Sequence, residues 1–155
     1  MGEVEKRLKD LNIKLVSRDR KGKGLIPLRQ VGNLLFLSGH GCNLEDGSLI
    51  YEGKLGKELT VDQGYEAARQ VGINLLSTLK DYLGDLSRVE RIIKALGFVA
   101  STPEFYQQPA VMHGFSDLMT EVFGEIGQHA RSAIGTNVLP KNQPVEIELI
   151  VQIRD

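Results

Sequence analysis

The clearest pattern in the chain is a strict alternation of apolar and polar residues near its end. Apolar side chains occupy every second position from Val145 to Ile153, and polar ones lie between them except at Ile150. Successive side chains of a strand point to opposite faces, so this segment is predicted to be a half-buried strand. Residues 34–38 form a short, continuous apolar run between turn residues. That run predicts a strand buried on both faces, or nearly so.

Two longer segments show the helical period instead. Thr60 and Gln63 match a capping box, which predicts a helix that begins there and ends at Gly84. A second helix is predicted from Pro109 to Gly124, with its apolar residues on one side. The apolar face predicted for the first helix consists of Ala68, Gly72, Leu75, Leu76, Leu79, Tyr82 and Leu83.

The remaining segments give weaker signals. Val4, Leu8 and Leu11 predict a short amphipathic helix within an N-terminal extension of residues 1–16. Residues 89–101 are apolar and β-branched enough for a strand, although Gly97 weakens its middle. Residues 132–138 predict another strand that stops before Pro140, and residues 49–53 indicate a short strand or an irregular edge.

The order of these elements predicts an α+β fold, with two helices packed on one face of a mixed sheet, in a single domain of residues 1–155. The last two strands are joined by a short loop, so we expect them to pair antiparallel. That pairing would bring Arg131 and Glu146 near one another at one end of the sheet, depending on a register that the sequence leaves open.

Composition narrows the class of protein. The 155 residues are 41% hydrophobic and 25% charged, and no apolar run approaches the ~20 residues needed to span a bilayer. The N-terminus lacks the features of a secretory signal. A single cysteine, Cys42, allows no internal disulfide, and a reducing cytoplasm is the expected compartment. The net charge is −1, from 19 basic and 20 acidic residues, so the composition gives no sign of the positive surface that binds nucleic acid.

Other chemistry in the chain gives little. Residues 17–24, SRDRKGKG, form a basic loop for which phosphate binding competes with a simple solvated loop, because the P-loop spacing is absent. Cys42 has no evident base and is expected to pack as a small hydrophobic residue. The three histidines lack the spacing of metal ligands, so no metal is expected.

Four pieces of the sequence together resemble the RidA group, also called the YjgF or liver perchloric-acid-soluble-protein family. They are residues 31–39 (VGNLLFLSG), 130–132 (ARS), 139–140 (LP) and 145–148 (VEIE). The resemblance runs from about Gly24 to the C-terminus, and residues 113–131 look like a longer branch of the family. It implies a chorismate-mutase-like α+β domain, assembled as a homotrimer with ligand sites at the subunit interfaces.

The resemblance also implies a reaction. The family's deaminases hold the carboxylate of a 2-imino acid, or of its enamine tautomer, with the arginine of the ARS motif, and water adds to the imine carbon. Arg131 would then anchor the carboxylate, and Glu146 would orient water or shuttle a proton. A guanidinium binds a carboxylate bidentately, and burial can tune a glutamate for acid-base work. No cofactor is implied. The residues implied to line the substrate pocket are Ser38, His40, Leu25, Ala133 and His113.

The chain departs from the active branch at several of these positions. That branch carries a tyrosine at Leu25, a glutamine at His40, an asparagine at His113 and often a cysteine at Ala133. Three functions therefore remain open: a hydrolase of small enamino or imino acids, a regulatory protein that binds small carboxylates without turnover, and, least supported, an endoribonuclease.

Each candidate residue also has a purely structural interpretation. Arg131 could form a salt bridge with Glu146 across the strand pair. Glu146 could lie on a solvated face of its strand. His40 could be a satisfied loop histidine, and His113 could cap or pack its helix. His129, close to Arg131 in the chain, could tune the pocket or simply occupy its loop.

Overall fold

The computed structural model describes residues 2–155, which form three α-helices and one five-stranded sheet. Helix α1 spans Glu3–Asp10, α2 spans Val61–Leu83 and α3 spans Gln108–Phe123. The strands are β1 (Leu28–Val31), β2 (Leu34–His40), β3 (Val89–Ala100), β4 (Ala130–Thr136) and β5 (Val145–Ile153). Short 3₁₀ turns at Leu86–Arg88, Gly124–Gly127 and Pro140–Asn142 connect them. The predicted α+β class is confirmed.

The order of strands in the sheet is β1-β2-β5-β3-β4, and only β3 and β4 run parallel. The predicted antiparallel pair of the last two strands is therefore wrong, because β3 lies between β4 and β5 and pairs with both. The sequence β3-α3-β4 is a crossover unit, in which a helix returns the chain to add a parallel strand. The strand predicted at 132–138 also begins and ends two residues earlier than expected.

Helix α2 begins and ends where the sequence predicts. The Thr60 hydroxyl accepts a hydrogen bond from the backbone N–H of Gln63 at 3.2 Å, and the Gln63 side chain accepts one from the Thr60 backbone at 2.9 Å. Gly84 ends the helix with a φ of 76°, a conformation that favours glycine. Tyr82, predicted on the apolar face, is instead 49% exposed.

The sheet differs from the sequence analysis at two further places. Strand β1, Leu28–Val31, was not predicted, because only Leu28 of its four residues is buried and no alternation marks it. Residues 49–53 form no strand and contribute only an isolated bridge between Asn43 and Leu49.

The two long helices cover one face of the sheet, where the apolar side chains of β2, β3 and β5 form the core. Gly97 of β3 lies under α3, where a Cβ would collide with the Met112 side chain. The predicted N-terminal helix is confirmed: its Val4 and Leu8 are buried, and Arg7 donates to the Val122 carbonyl of α3 at 3.3 Å.

Within residues 2–155, no helix packs on the other face of the sheet. Phe36 and Ile134 are exposed there, at 42% and 45%. No helix among residues 2–155 has both the length and the apolar character required to cross a membrane.

Candidate functional site

Arg131 lies on β4, the edge strand, and its side chain points toward α3. It is paired in register with Ala95 of β3, which faces the core, so its own side chain lies on the helix-covered side of the sheet. Its Nη1 donates to Nδ1 of His113 at 3.1 Å and to Oγ of Ser116 at 3.0 Å. These two residues are three apart on α3 and therefore share one face of that helix.

Ser116 is itself held by His129. Nδ1 of His129 is 2.7 Å from the Gly127 carbonyl and must donate to it, so Nε2 accepts from the Ser116 hydroxyl at 2.9 Å. Burial lowers the pKa of His129, and the positive charge of Arg131 lowers it further, against the hydrogen bond to Gly127. His129 is thus neutral, and its tautomer leaves the Ser116 oxygen to accept from Arg131.

We call Arg131, His113, Ser116 and His129 the arginine cluster. Its hydrogen-bonding partners for the guanidinium are uncharged, and Arg131 forms no salt bridge with any carboxylate of residues 2–155. Burial lowers the pKa of Arg131 and nearby Asp117 opposes that effect, but an arginine stays charged at physiological pH. The cluster therefore holds a cation in place without neutralising it.

Glu146 lies on β5, on the open face of the sheet. It is opposite Phe98 in register, and its carboxylate packs against Gly39 of β2, where an added Cβ would lie only 2.8 Å from its Oε2. Burial raises the pKa of Glu146, and the like charge of Glu148 raises it further. A carboxyl group with a raised pKa is better able to exchange a proton near neutral pH.

Ser38 precedes Gly39 in the chain, at a bulge in β2. The register with β5 shifts between Leu37 and His40, and the Ser38 hydroxyl donates to the Ile26 carbonyl at 2.8 Å. Leu25, the residue before Ile26, is 58% exposed. We call Ser38, Gly39 and Glu146 the glutamate cluster, and Leu25 is linked to it only through the neighbouring Ile26.

The structure separates the two clusters. Arg131 and Glu146 lie on opposite faces of the sheet, with β3 between their strands, and no salt bridge joins them. Strands two places apart are separated by about 10 Å, which alone exceeds the reach of direct contact. The expected proximity of the two residues within one chain is therefore wrong, and so is the alternative that they form a salt bridge.

His40 faces the core and not the glutamate cluster. The extra residue in the bulge turns its side chain toward α2, where Nδ1 donates to the Ser38 carbonyl at 2.6 Å and Nε2 accepts from the Thr78 hydroxyl at 2.7 Å. Burial lowers its pKa to about 4. With 5% exposure and both ring nitrogens engaged, His40 does not fit the expected role of a pocket residue.

Two other expected pocket residues lie beside Arg131. His113 contacts its guanidinium, and Ala133, two residues further along β4, is partly buried on the same side of the strand. Ser116 was not singled out from the sequence. Its spacing of three residues from His113 on a predicted helix was the one signal available.

Comparisons with known proteins agree with this architecture. The model of the family described as "YjgF/chorismate_mutase-like, putative endoribonuclease" matches residues 14–153. Protein TCP17 of Trypanosoma cruzi is 37% identical over 155 residues, which cover 99% of this chain and 96% of that protein.

Two solved structures are also similar. Protein Atu1372 of Agrobacterium tumefaciens, of unknown function, is 41% identical with a TM-score of 0.88, over 97% of this chain and 91% of that one. A protein of Shewanella oneidensis described as "a putative endoribonuclease" is 32% identical with a TM-score of 0.92, over 97% of this chain and 99% of that one.

Proposed function

Because this chain belongs to the YjgF/chorismate-mutase-like family, we propose that it hydrolyses small 2-imino acids and their 2-enamino tautomers to 2-keto acids and ammonia. The observation that carries the proposal is the state of Arg131. Its guanidinium is held by His113 and Ser116 through Nη1 alone, and it has no carboxylate partner among residues 2–155.

A guanidinium in that state suits a substrate carboxylate. The planar fork can donate two parallel hydrogen bonds to a carboxylate, and its charge does not titrate in the physiological range. Neutral partners fix its orientation without competing for the anion. The substrate class that follows is a small metabolite with a carboxylate next to the reacting carbon.

We propose that the complete site forms between protomers of a homotrimer. Arg131 and Glu146 lie on opposite faces of the same sheet, so one chain cannot bring both to one small substrate. The open face, with Phe36 and Ile134 exposed, is an apolar surface that a neighbouring protomer can cover. In this arrangement Arg131 of one protomer faces Glu146 of the next. The threefold state itself rests on the resemblance to the family.

The reaction is a hydrolysis and balances with water alone. An enamine first takes a proton at its terminal carbon and becomes an iminium. Water adds to the imine carbon, and one of its protons passes to the nitrogen through Glu146. The carbon–nitrogen bond then breaks and ammonia leaves, while the new hydroxyl group loses its proton to solvent as the carbon–oxygen double bond forms, which returns the proton taken up by the enamine. Glu146 can accept a proton from water and return it to the nitrogen because burial and Glu148 raise its pKa.

The first experiment measures ammonia release from 2-aminoacrylate generated freshly by a PLP-dependent enzyme acting on serine. The wild-type protein should accelerate release above the spontaneous rate, and Arg131→Ala should lose that acceleration. Arg154→Ala, which removes an exposed arginine after the end of β5, is the matched control and should behave as wild type. Equal rates for wild type and Arg131→Ala would rule the proposal out.

A regulatory protein that binds small carboxylates is the second candidate. It is favoured by the exposed Leu25 and the core-facing His40, which stand where the active branch carries a tyrosine and a glutamine. Its signature is a rise in melting temperature with 2-ketobutyrate that depends on Arg131, in a protein that releases no ammonia.

A reducing cytoplasm is the compartment that we propose, since the single cysteine, Cys42, is unpaired and buried.

A further inference from the structure

A cleft lies far from Arg131, between the segment that precedes β1 and the C-terminal half of α2. Its volume is about 590 Å³, within the range of small-molecule sites. The residues that line it include Arg18, Arg20, Lys21, Thr78, Asp81 and Tyr82. The cleft borders β1, whereas Arg131 lies on β4 at the opposite edge of the sheet, about 20 Å away by strand spacing.

Arg20 is the unusual residue of this cleft. Its Nη1 is shielded from solvent and has no hydrogen-bond partner among residues 2–155, and it is the one buried side-chain nitrogen or oxygen of the described chain in that state. The side chain as a whole is only half-buried and lines the cleft. Proteins rarely leave a buried charged donor unpaired, because its lost hydration is then uncompensated. An unpaired charged donor beside a cleft indicates a site for an anion.

The neighbouring charges do not neutralise Arg20. Arg18 donates to the Leu44 carbonyl and repels Arg20, which together with burial lowers the pKa of Arg20. Asp81 attracts Arg20 from a distance but forms no salt bridge with it in residues 2–155. With Lys21, the cleft wall carries three cations and, with Asp19 and Asp81, two carboxylates.

The rest of the wall is apolar. Ile26, Pro27 and Leu28 form one side, and Tyr82 is fixed beside them because its hydroxyl donates to the Gln30 side chain at 2.6 Å. This position accounts for the exposure of Tyr82 on a helix face where the sequence predicted a core residue. A ligand in this cleft would meet cations at one side and hydrocarbon at the other.

We propose that this cleft is a second binding site, for a small organic anion with a carboxylate or phosphate group on an apolar body. Arg20 binds the anionic group, and the apolar wall with Tyr82 contacts the body. The site does not involve Arg131 or Glu146, so it is independent of the function proposed above.

The test is calorimetric titration in the Arg131→Ala background, which removes the other carboxylate site. The probes are benzoate, phenyl phosphate and inorganic phosphate. We expect saturable binding of a phenyl probe, weakened on the order of tenfold or more in Arg20→Gln, because a charge-assisted hydrogen bond is lost. Arg29→Gln, outside the cleft, is the matched control and should leave binding unchanged. Equal affinities in the presence and absence of Arg20 would overturn the site.

Two further measurements sharpen the result. Asp81→Asn removes a carboxylate that competes for Arg20 and should tighten phenyl phosphate binding; weaker binding would contradict the proposed orientation. Phenyl phosphate should bind more tightly than inorganic phosphate, and equal affinities would overturn the role of the apolar wall. Arg20→Gln should melt no lower than its parent without ligand, since its guanidinium has an unpaired donor, and this confirms that the variant is folded.

Discussion

The arginine cluster and the glutamate cluster are built in opposite ways. Around Arg131 a cation at the sheet edge is held by neutral side chains of α3 and by no carboxylate among residues 2–155. Around Glu146 a carboxylate on the open face packs against Gly39 beside a second carboxylate, Glu148, and its pKa is raised. Each cluster contains the charge that the other lacks, and each leaves its own charge without a counter-ion.

This difference has a physical consequence. Charged groups that are partly buried usually have an ionic partner in their own chain, because burial without one is costly. Two such groups of opposite sign, on opposite faces of one sheet, have the complementary charges that the proposed interface between protomers requires. Changes confined to one cluster then test whether the two act on a common substrate.

The largest effect is expected from Glu146→Gln. If Glu146 transfers the proton, kcat should fall by about 10²- to 10³-fold while KM changes little, since the carboxylate anchor is intact. The ammonia-release assay measures both constants. Glu52→Gln removes an exposed carboxylate that lies outside the sheet and serves as control, with no change in kcat expected. An unchanged kcat in Glu146→Gln would show that Glu146 takes no part in the proton transfer.

The stability of Glu146→Gln gives a second readout. A raised pKa means that the folded state disfavours the ionised carboxylate, so wild-type stability falls as pH rises through the range between the ordinary and the raised pKa. The variant should therefore melt at the same or a higher temperature than wild type at neutral pH. A lower melting temperature would indicate a structural role instead.

The next effect concerns His40, which belongs to neither cluster. The pKa of His40 is about 4 in the folded state and 6.5 in the unfolded state. Between these pH values the unfolded chain binds a proton at His40 and the folded chain does not, so the folded state loses stability as pH falls. Stability should drop by roughly 3 kcal/mol over that interval, measured by urea unfolding as a function of pH. His40→Gln should lack this contribution.

His113→Gln is the matched control for that measurement, since His113 is exposed on α3. Its unfolding by urea is followed over the same pH range, and it should be folded at neutral pH as the wild type is. If His40→Gln and wild type lost stability in parallel on acidification, the buried, neutral state of His40 would be contradicted.

The sequence was enough to predict most helices and strands, but not the way in which the strands pair. The period of apolar residues predicted α2, α3, β2, β3 and β5, because the spacing of buried residues follows from the geometry of one helix or strand alone. The pairing of strands depends on contacts between elements, and the periodicity does not predict it. Residues 130–136 and 145–153 are neighbours in sequence, yet the crossover through α3 places β3 between them.

The site was predicted to the same limited degree. The motif around Arg131 located the guanidinium, and the alternation of β5 placed Glu146 on a polar face. The bulge at residues 38–39, which turns His40 into the core, has no sequence signature beyond one glycine. Ser116 and His129 meet only because the middle of α3 and the residue before β4 lie side by side, which is a tertiary contact.

A smaller effect is expected from Ser116→Ala. Ser116 positions Arg131 but does not touch the proposed substrate, so KM should rise roughly tenfold with little change in kcat. Ser116→Thr, which keeps the hydroxyl, should restore most of the affinity. The pKa of His129, followed by NMR, should also change in Ser116→Ala, because the hydrogen bond from Ser116 to Nε2 is lost. Unchanged KM would place Ser116 outside the site.

The most direct test of a site shared between protomers is to combine two inactive chains. Arg131→Ala and Glu146→Gln are co-expressed with different affinity tags, and oligomers that contain both are assayed for ammonia release. If each site takes Arg131 from one protomer and Glu146 from its neighbour, a trimer that contains both chains has one complete site of three and should show about a third of the wild-type activity. Oligomers that contain both chains and remain as inactive as either variant alone would contradict the shared site.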